Sequence, residues 1–172
     1  GTKAFASDGA PSDCVALAML GFTKPVDLVL TGINPHANVG DDVTYSGTVT
    51  SAMEAVLAEV PGIAFSLDTL PSDKDRSFTE SEKIIVDFLT KYLEKDVRKD
   101  VVLSVNIPYV SHAELKGTRI TRMGRRVYKD ELVVQHDPFG RPIYWIGGEF
   151  PGGIADEGTE IKAIKEGYLA VT

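Results

Sequence analysis

One short polar run, GINPHANVGDDVTYSGT (Gly32 to Thr48), carries an asparagine after an apolar stretch, two adjacent aspartates and a Ser-Gly-Thr triplet. Ser46, Gly47 and Thr48 open a helical pattern. Two hydroxyls, free N–H groups and a residue without a side chain, set at the positive end of a helix dipole, can hold a phosphate. Capping by Ser46 or Thr48 explains the same triplet, and the triplet alone does not lift the anion site above that reading. Asn34 offers a neutral hard oxygen for Mg²⁺, Mn²⁺ or Ca²⁺ where carboxylates supply the rest. An asparagine bracing its own loop is the commoner case. Asp41 and Asp42 suggest a metal pair, but neighbouring residues seldom aim both carboxylates at one ion, so loop bracing is the reading taken.

Other candidates carry less chemistry. His36, His112 and His136 lack ligand spacing, and Cys14 sits among apolar residues as a core side chain would. TRMGRR (Thr121 to Arg126) is a basic cluster open to a substrate, to solvent or to a carboxylate partner. Tyr144 and Trp145 could stack on a base, although strand aromatics usually pack on neighbours. No G-x-S-x-G, G-x-x-x-x-G-K-[ST] or G-x-G-x-x-G occurs, which leaves metal-assisted hydrolysis at a strand end as the enzymatic option.

The elements that must position these groups follow from periodicity. KAFAS (Lys3 to Ser7) reads as a weak strand, and a helix runs from Pro11 to a stop at Gly21. VDLVLTG (Val26 to Gly32), PGIAFSL (Pro61 to Leu67) and DVVLSVNIP (Asp100 to Pro108) are short apolar runs of the kind covered on both faces of a parallel sheet. Between them lie a helix with Val49, Met53, Val56 and Leu57 on one face, and another with Ile85, Phe88, Leu89 and Tyr92 together, preceded by a Thr79-x-x-Glu82 capping box. DTLPSDKDRS (68–77) is a polar loop. Alternation of strand and helix through 1–108 gives an α/β, Rossmann-like three-layer core, with Gly32 to Thr48 at the carboxyl end of a strand, where ligands bind in such sheets. Residues 109–172 form a β-rich extension with a hairpin turning at DPFG (Asp137 to Gly140) and a short helix in TEIKAIKEG. An arm of this kind usually seeks a partner.

Composition sets the bounds. The 172 residues are 43% hydrophobic and 25% charged, average for a globular domain. A net charge of −7 argues against a nucleic-acid polymer. Apolar runs fall far short of the roughly 20 residues a membrane span needs. A single cysteine allows no disulfide within these residues and fits a cytoplasmic setting.

DLVLTGINPHANVGDDVTYSGTVTSAMEA resembles the signature of the SurE family, the stationary-phase survival proteins that act as 5′/3′-nucleotidases. DGAPSDCV, RMGRRVY, DPFGRPIYWIGG and EGTEIKAIKEGYLAVT continue the likeness, with Ala10 where threonine and Glu160 where aspartate is usual. The resemblance implies metal-dependent hydrolysis of nucleoside monophosphates, with Mg²⁺ or Mn²⁺ as cofactor. It implies Asn34 on the metal, Ser46, Gly47 and Thr48 near the phosphate, and Asn38 and Asp42 as loop braces. It further implies homodimers or homotetramers assembled through the C-terminal arm. The family's Asn-Asp-Asp-Gly strand, with the main metal-binding aspartates, has no counterpart here. The expectation is therefore an internal piece of such a protein, inactive by itself, its catalytic aspartates upstream of Gly1. The alternative is a non-catalytic nucleotide- or phosphate-binding, or assembly, module.

Overall fold

The structure is a computed structural model that describes residues 2–70, 72, 73, 77–95 and 97–172. Its centre is a five-stranded mixed sheet in the order β1-β2-β3-β9-β4. Strands β1 (Val29–Asn34), β2 (Gly62–Asp68) and β3 (Val102–Pro108) are parallel, as their helical crossovers require. From the C-terminal segment, β9 (Leu169–Val171) runs antiparallel to β3, and β4 (Thr118–Ile120) is parallel to β9. The fold is α/β with added C-terminal strand pairs: β5 (Arg125–Val127) with β8 (Gly152–Ile154), and β6 (Asp130–His136) with β7 (Pro142–Gly148).

The two faces of the sheet differ, and the difference begins in the sequence of β2. Ile63, Phe65 and Leu67 alternate onto one face, where they join Ile84, Val105, Ile107, Leu169 and Val171 in the main core. Helix α3 (Thr79–Leu93) covers that face with Ile85, Phe88, Leu89 and Tyr92. The opposite face carries Gly62, Ala64, Ser66, Ser104, Asn106 and Ala170, all small or polar. Small side chains let α2 (Gly47–Leu57) lie close, and Val49 and Ala52 pack on Ala64. Gly62 makes this approach possible, since a Cβ there would stand 2.1 Å from the Ala52 carbonyl oxygen. Helix α4 (Glu160–Lys165) is held through Ile161, Ala163 and Ile164 against Ala37, Val39 and Ala170.

Several expectations are corrected. Lys3–Ser7 forms no strand. The strand expected at 26–32 runs Val29–Asn34 and lies at the sheet edge, with Leu30 46% exposed rather than covered on both faces. In α2 the buried residues are Val49, Ser51, Ala52 and Ala55, while Met53 and Leu57 face outward, because close packing selected the small side chains. Phe78 precedes the first turn of α3, so Thr79 lies inside the helix and the capping box does not form. Cys14, on α1 (Pro11–Leu17), is exposed. Part of the polar loop at 68–77 (Pro71 and 74–76) lies outside the described residues.

Replacing Gly62 by alanine should destabilise the protein by about 2 kcal/mol, because backbone must move to admit the methyl group. Urea denaturation checks this, and an unchanged midpoint would contradict the packing.

Candidate functional site

Strand β1 ends at Asn34, and the chain then turns over the carboxyl ends of β1, β2 and β3 before α2 begins. Every buried polar group on this path needs a partner. Asn38 supplies several: its backbone N–H donates to Asn106 Oδ1 (2.9 Å), its carbonyl accepts from Asn106 Nδ2 (3.0 Å), and its Nδ2 donates to Ser66 Oγ (2.7 Å). Asn106 is wholly buried and Ser66 nearly so. The polar face of β2 and β3 thus seats the loop. Thr69 donates its hydroxyl to the Pro35 carbonyl, and its own carbonyl lies 3.1 Å from His36 Nδ1.

A second set of bonds joins the loop to the C-terminal segment. Glu160, 1% exposed, accepts from the backbone N–H groups of Gly40 and Gly124, both at 2.6 Å. Gly40 has φ +55°, and a Cβ there would meet Arg126 N and Gly124 O at 3.0 Å, so the close approach requires glycine. Beside it, Arg126 Nε donates to Asp42 Oδ2 at 2.6 Å, with side-chain exposures of only 12% and 17%. The Tyr128 hydroxyl donates to Asp42 Oδ1. That hydrogen bond, then burial and the charge of Asp42, push the Tyr128 hydroxyl from 10.0 up to about 12.

These contacts border an open cleft of about 320 Å³ lined by Asn34, His36, Asn38, Asp42, Ser46 and Arg126, with Tyr45, Tyr128 and Phe150 among its further walls. Asn34 Nδ2 donates to the His36 carbonyl (2.5 Å), and no hydrogen bond among the described residues engages its Oδ1. Ser46 is buried and precedes α2, its Oγ accepting from Val49 N at 3.2 Å. Gly47 and Thr48 begin the helix, where backbone N–H groups lack intrahelical acceptors. Neither residue lines the cavity. Asn34, Asn38, Asp42 and Ser46 are therefore brought together; Gly47 and Thr48 stand beside them.

A hard dication wants about six oxygens, some anionic. Among the described residues no three His, Cys, Asp or Glu side chains are grouped to hold one. Asn34 brings one neutral oxygen, and the Asp42 carboxylate is engaged by Arg126 and Tyr128. These residues by themselves do not fit the ion.

Arg126 belonged to a basic cluster whose partner the sequence left open; the partner is Asp42 within the chain. Tyr128 was marked only as the end of RMGRRVY, and Glu160 only by standing where a shorter acid is usual. No helix among the described residues is long and apolar enough to cross a membrane.

Comparison with known proteins places this geometry in context. A family model described as "Survival protein SurE" matches residues 1–130. Proteins named 5′-nucleotidase SurE are 46% identical in Chloroflexus aggregans over 174 aligned positions, covering 100% of this chain and 68% of the relative. The one from Aquifex aeolicus is 44% identical, covering 96% and 65%. The crystal structure of SurE protein from Aquifex aeolicus superimposes with a TM-score of 0.78 at 44% identity, covering 96% of this chain and 66% of that one. The chain spans about two thirds of the length of these relatives.

A tyrosine hydroxyl whose folded value lies above its unfolded one contributes stability that is present below pH 10.0 and lost as pH rises toward about 12. Alkaline titration should thus show one late-ionising tyrosine by absorbance, missing in Tyr128→Phe. A variant titration identical to the parent's would contradict the Asp42 contact.

Proposed function

The chain belongs to the SurE family, and from that premise we propose that it forms the anion-holding half of a metal-dependent nucleotidase. The substrates are nucleoside 5′- or 3′-monophosphates, hydrolysed to nucleoside and phosphate. The observation that carries the reading is the convergence of Asn34, at the end of β1, and Ser46, at the start of α2, on one cavity. Ser46 and the backbone N–H groups of Gly47 and Thr48 hold the phosphate, favoured by the helix dipole. Asn34 is one ligand of a Mg²⁺ or Mn²⁺ ion, and Asn38 and Asp42 keep the loop in shape. The carboxylates that the ion needs are not supplied by the described residues, so the 172-residue chain by itself releases no phosphate.

The same reading makes 1–108 the unit that carries Asn34 and the Ser46–Thr48 segment, and 109–172 the unit that carries the arm and adds Arg126, Tyr128 and Phe150 to the cavity wall. Leu132, Tyr144, Trp145 and Ile146 leave large apolar areas exposed on the β6–β7 hairpin, with Ile146 90% exposed. That surface supports a homodimer or homotetramer joined through the arm.

The test compares this chain with a version extended at its N-terminus to the length of the relatives, measuring phosphate release from GMP and AMP with Mg²⁺ or Mn²⁺. The extended protein should be active and metal-dependent, the chain as given inactive. Asn34→Ala and Ser46→Ala should each lower the extended protein's rate by about tenfold or more. Unchanged rates in both variants would contradict the assignment. Metal-independent nucleotide binding without hydrolysis by the extended protein would favour a non-catalytic binding module.

A further inference from the structure

Past Arg126 and Phe150, the cavity at Ser46 adjoins a second hollow of about 230 Å³. The two share Ala37, Arg126, Phe150 and Pro151 as a common wall. The second hollow is otherwise lined by apolar groups from Val39, Leu70, Ile161 and Ile164, with two charged side chains among them. Asp68 reaches in from the end of β2 and Lys165 from the end of α4.

As far as the described residues go, these two groups are not spent on each other or on neighbours. Among the described residues neither forms an ion pair, and no hydrogen bond reaches the Asp68 carboxyl oxygens, whereas Arg126 is already committed to Asp42. No fully enclosed side-chain polar atom among the described residues lacks a partner, so the Asp68 oxygens are not fully enclosed, and Asp68 is one of the side chains lining the hollow. Burial raises the Asp68 carboxyl above the usual carboxylate range, while Arg126 and Lys165 pull it back. A carboxylate in this position gains most from N–H donors that arrive with a ligand.

We propose that this hollow is the base subsite of the substrate and takes a guanine ring. Its ring N–H and amino group donate to the two Asp68 oxygens, and its carbonyl oxygen accepts from the Lys165 ammonium. The assignment rests on the phosphate reading above, since Ser46 sets the phosphate in the adjoining cavity. The pattern of charges selects the base. Guanine presents two N–H donors beside a carbonyl along one edge, which matches a carboxylate beside an ammonium. Hypoxanthine keeps the carbonyl and one donor. Adenine offers an amino donor beside a bare ring nitrogen and no carbonyl. The Phe150 ring, tilted against His36 at 5.8 Å between centroids, stands at the shared wall as an apolar surface for the flat ring.

Nucleosides without phosphate test the subsite separately from the phosphate site. Calorimetry and saturation-transfer NMR on the 172-residue chain should show guanosine binding, inosine at least about threefold weaker and adenosine at least about tenfold weaker. Asp68→Asn should weaken guanosine at least about tenfold while inorganic phosphate binds as before. Lys165→Ala, on an exposed position, should weaken guanosine and inosine alike, and serves where Asp68→Asn does not fold. Adenosine binding as tightly as guanosine, which a ribose-hydroxyl contact would give, overturns the proposal. So does undetectable guanosine binding, or guanosine binding unaffected by either substitution. Failure of the phosphate reading would look different: guanosine would bind as described, and inorganic phosphate would not bind.

Discussion

The Glu160 carboxylate, sealed from water between the backbone N–H groups of Gly40 and Gly124, is the contact on which the rest of the site depends. A buried carboxylate left without donors is strongly unfavourable, and hydrogen bonds to a charged group contribute about 1.5–3 kcal/mol each. One side chain therefore fixes three things at once: the loop after β1, the chain leaving β4, and the helix that carries Glu160 itself. With the loop and the start of the arm held together, Arg126 and Tyr128 reach Asp42, and the cavity between Asn34 and Ser46 acquires its far wall.

The contact works because the sheet has two unlike faces. Under α3, alternating large side chains form the apolar core that supplies most of the stability. On the other face, Gly62, Ala64, Ser66, Asn106 and Ala170 give up apolar burial in exchange for close helices and a polar seat. Asn38 occupies that seat through three hydrogen bonds to Ser66 and Asn106. The loop is thus placed at the carboxyl ends of the strands by side chains, not by chain connectivity alone. This is also the end at which open α/β sheets bind ligands.

What the sequence made legible follows range. Strands β2 and β3, helix α3 and the β6–β7 hairpin were readable because periodicity and turn residues act over a few positions. Asn34 and Ser46 stood out only by their places at a strand end and a helix start; the roles proposed for them come from the family resemblance, not from local pattern. Helix α2 was misread because its apolar stripe at Met53 and Leu57 is outward, and the packed face is made of Ser51, Ala52 and Ala55, which hydrophobicity underweights. Lys3–Ser7 has strand-like residues but no sheet neighbour. The partners of the loop lay beyond any local pattern: Asp42 meets Arg126 across 84 residues and Gly40 meets Glu160 across 120. Asp68 showed nothing in sequence, since a hollow is a property of the folded chain.

Hydrogen exchange at the Gly40 and Gly124 amides, compared between the parent and Glu160→Gln, reads the central contact directly. A glutamine keeps one acceptor oxygen and turns an NH₂ toward the other donor, so the pair cannot both be satisfied. The account predicts at least about tenfold faster exchange at one or both amides, equivalent to roughly 1.4 kcal/mol, with Phe65 in β2 unchanged. Unaltered exchange at both glycines, or equal acceleration throughout the sheet, would contradict it.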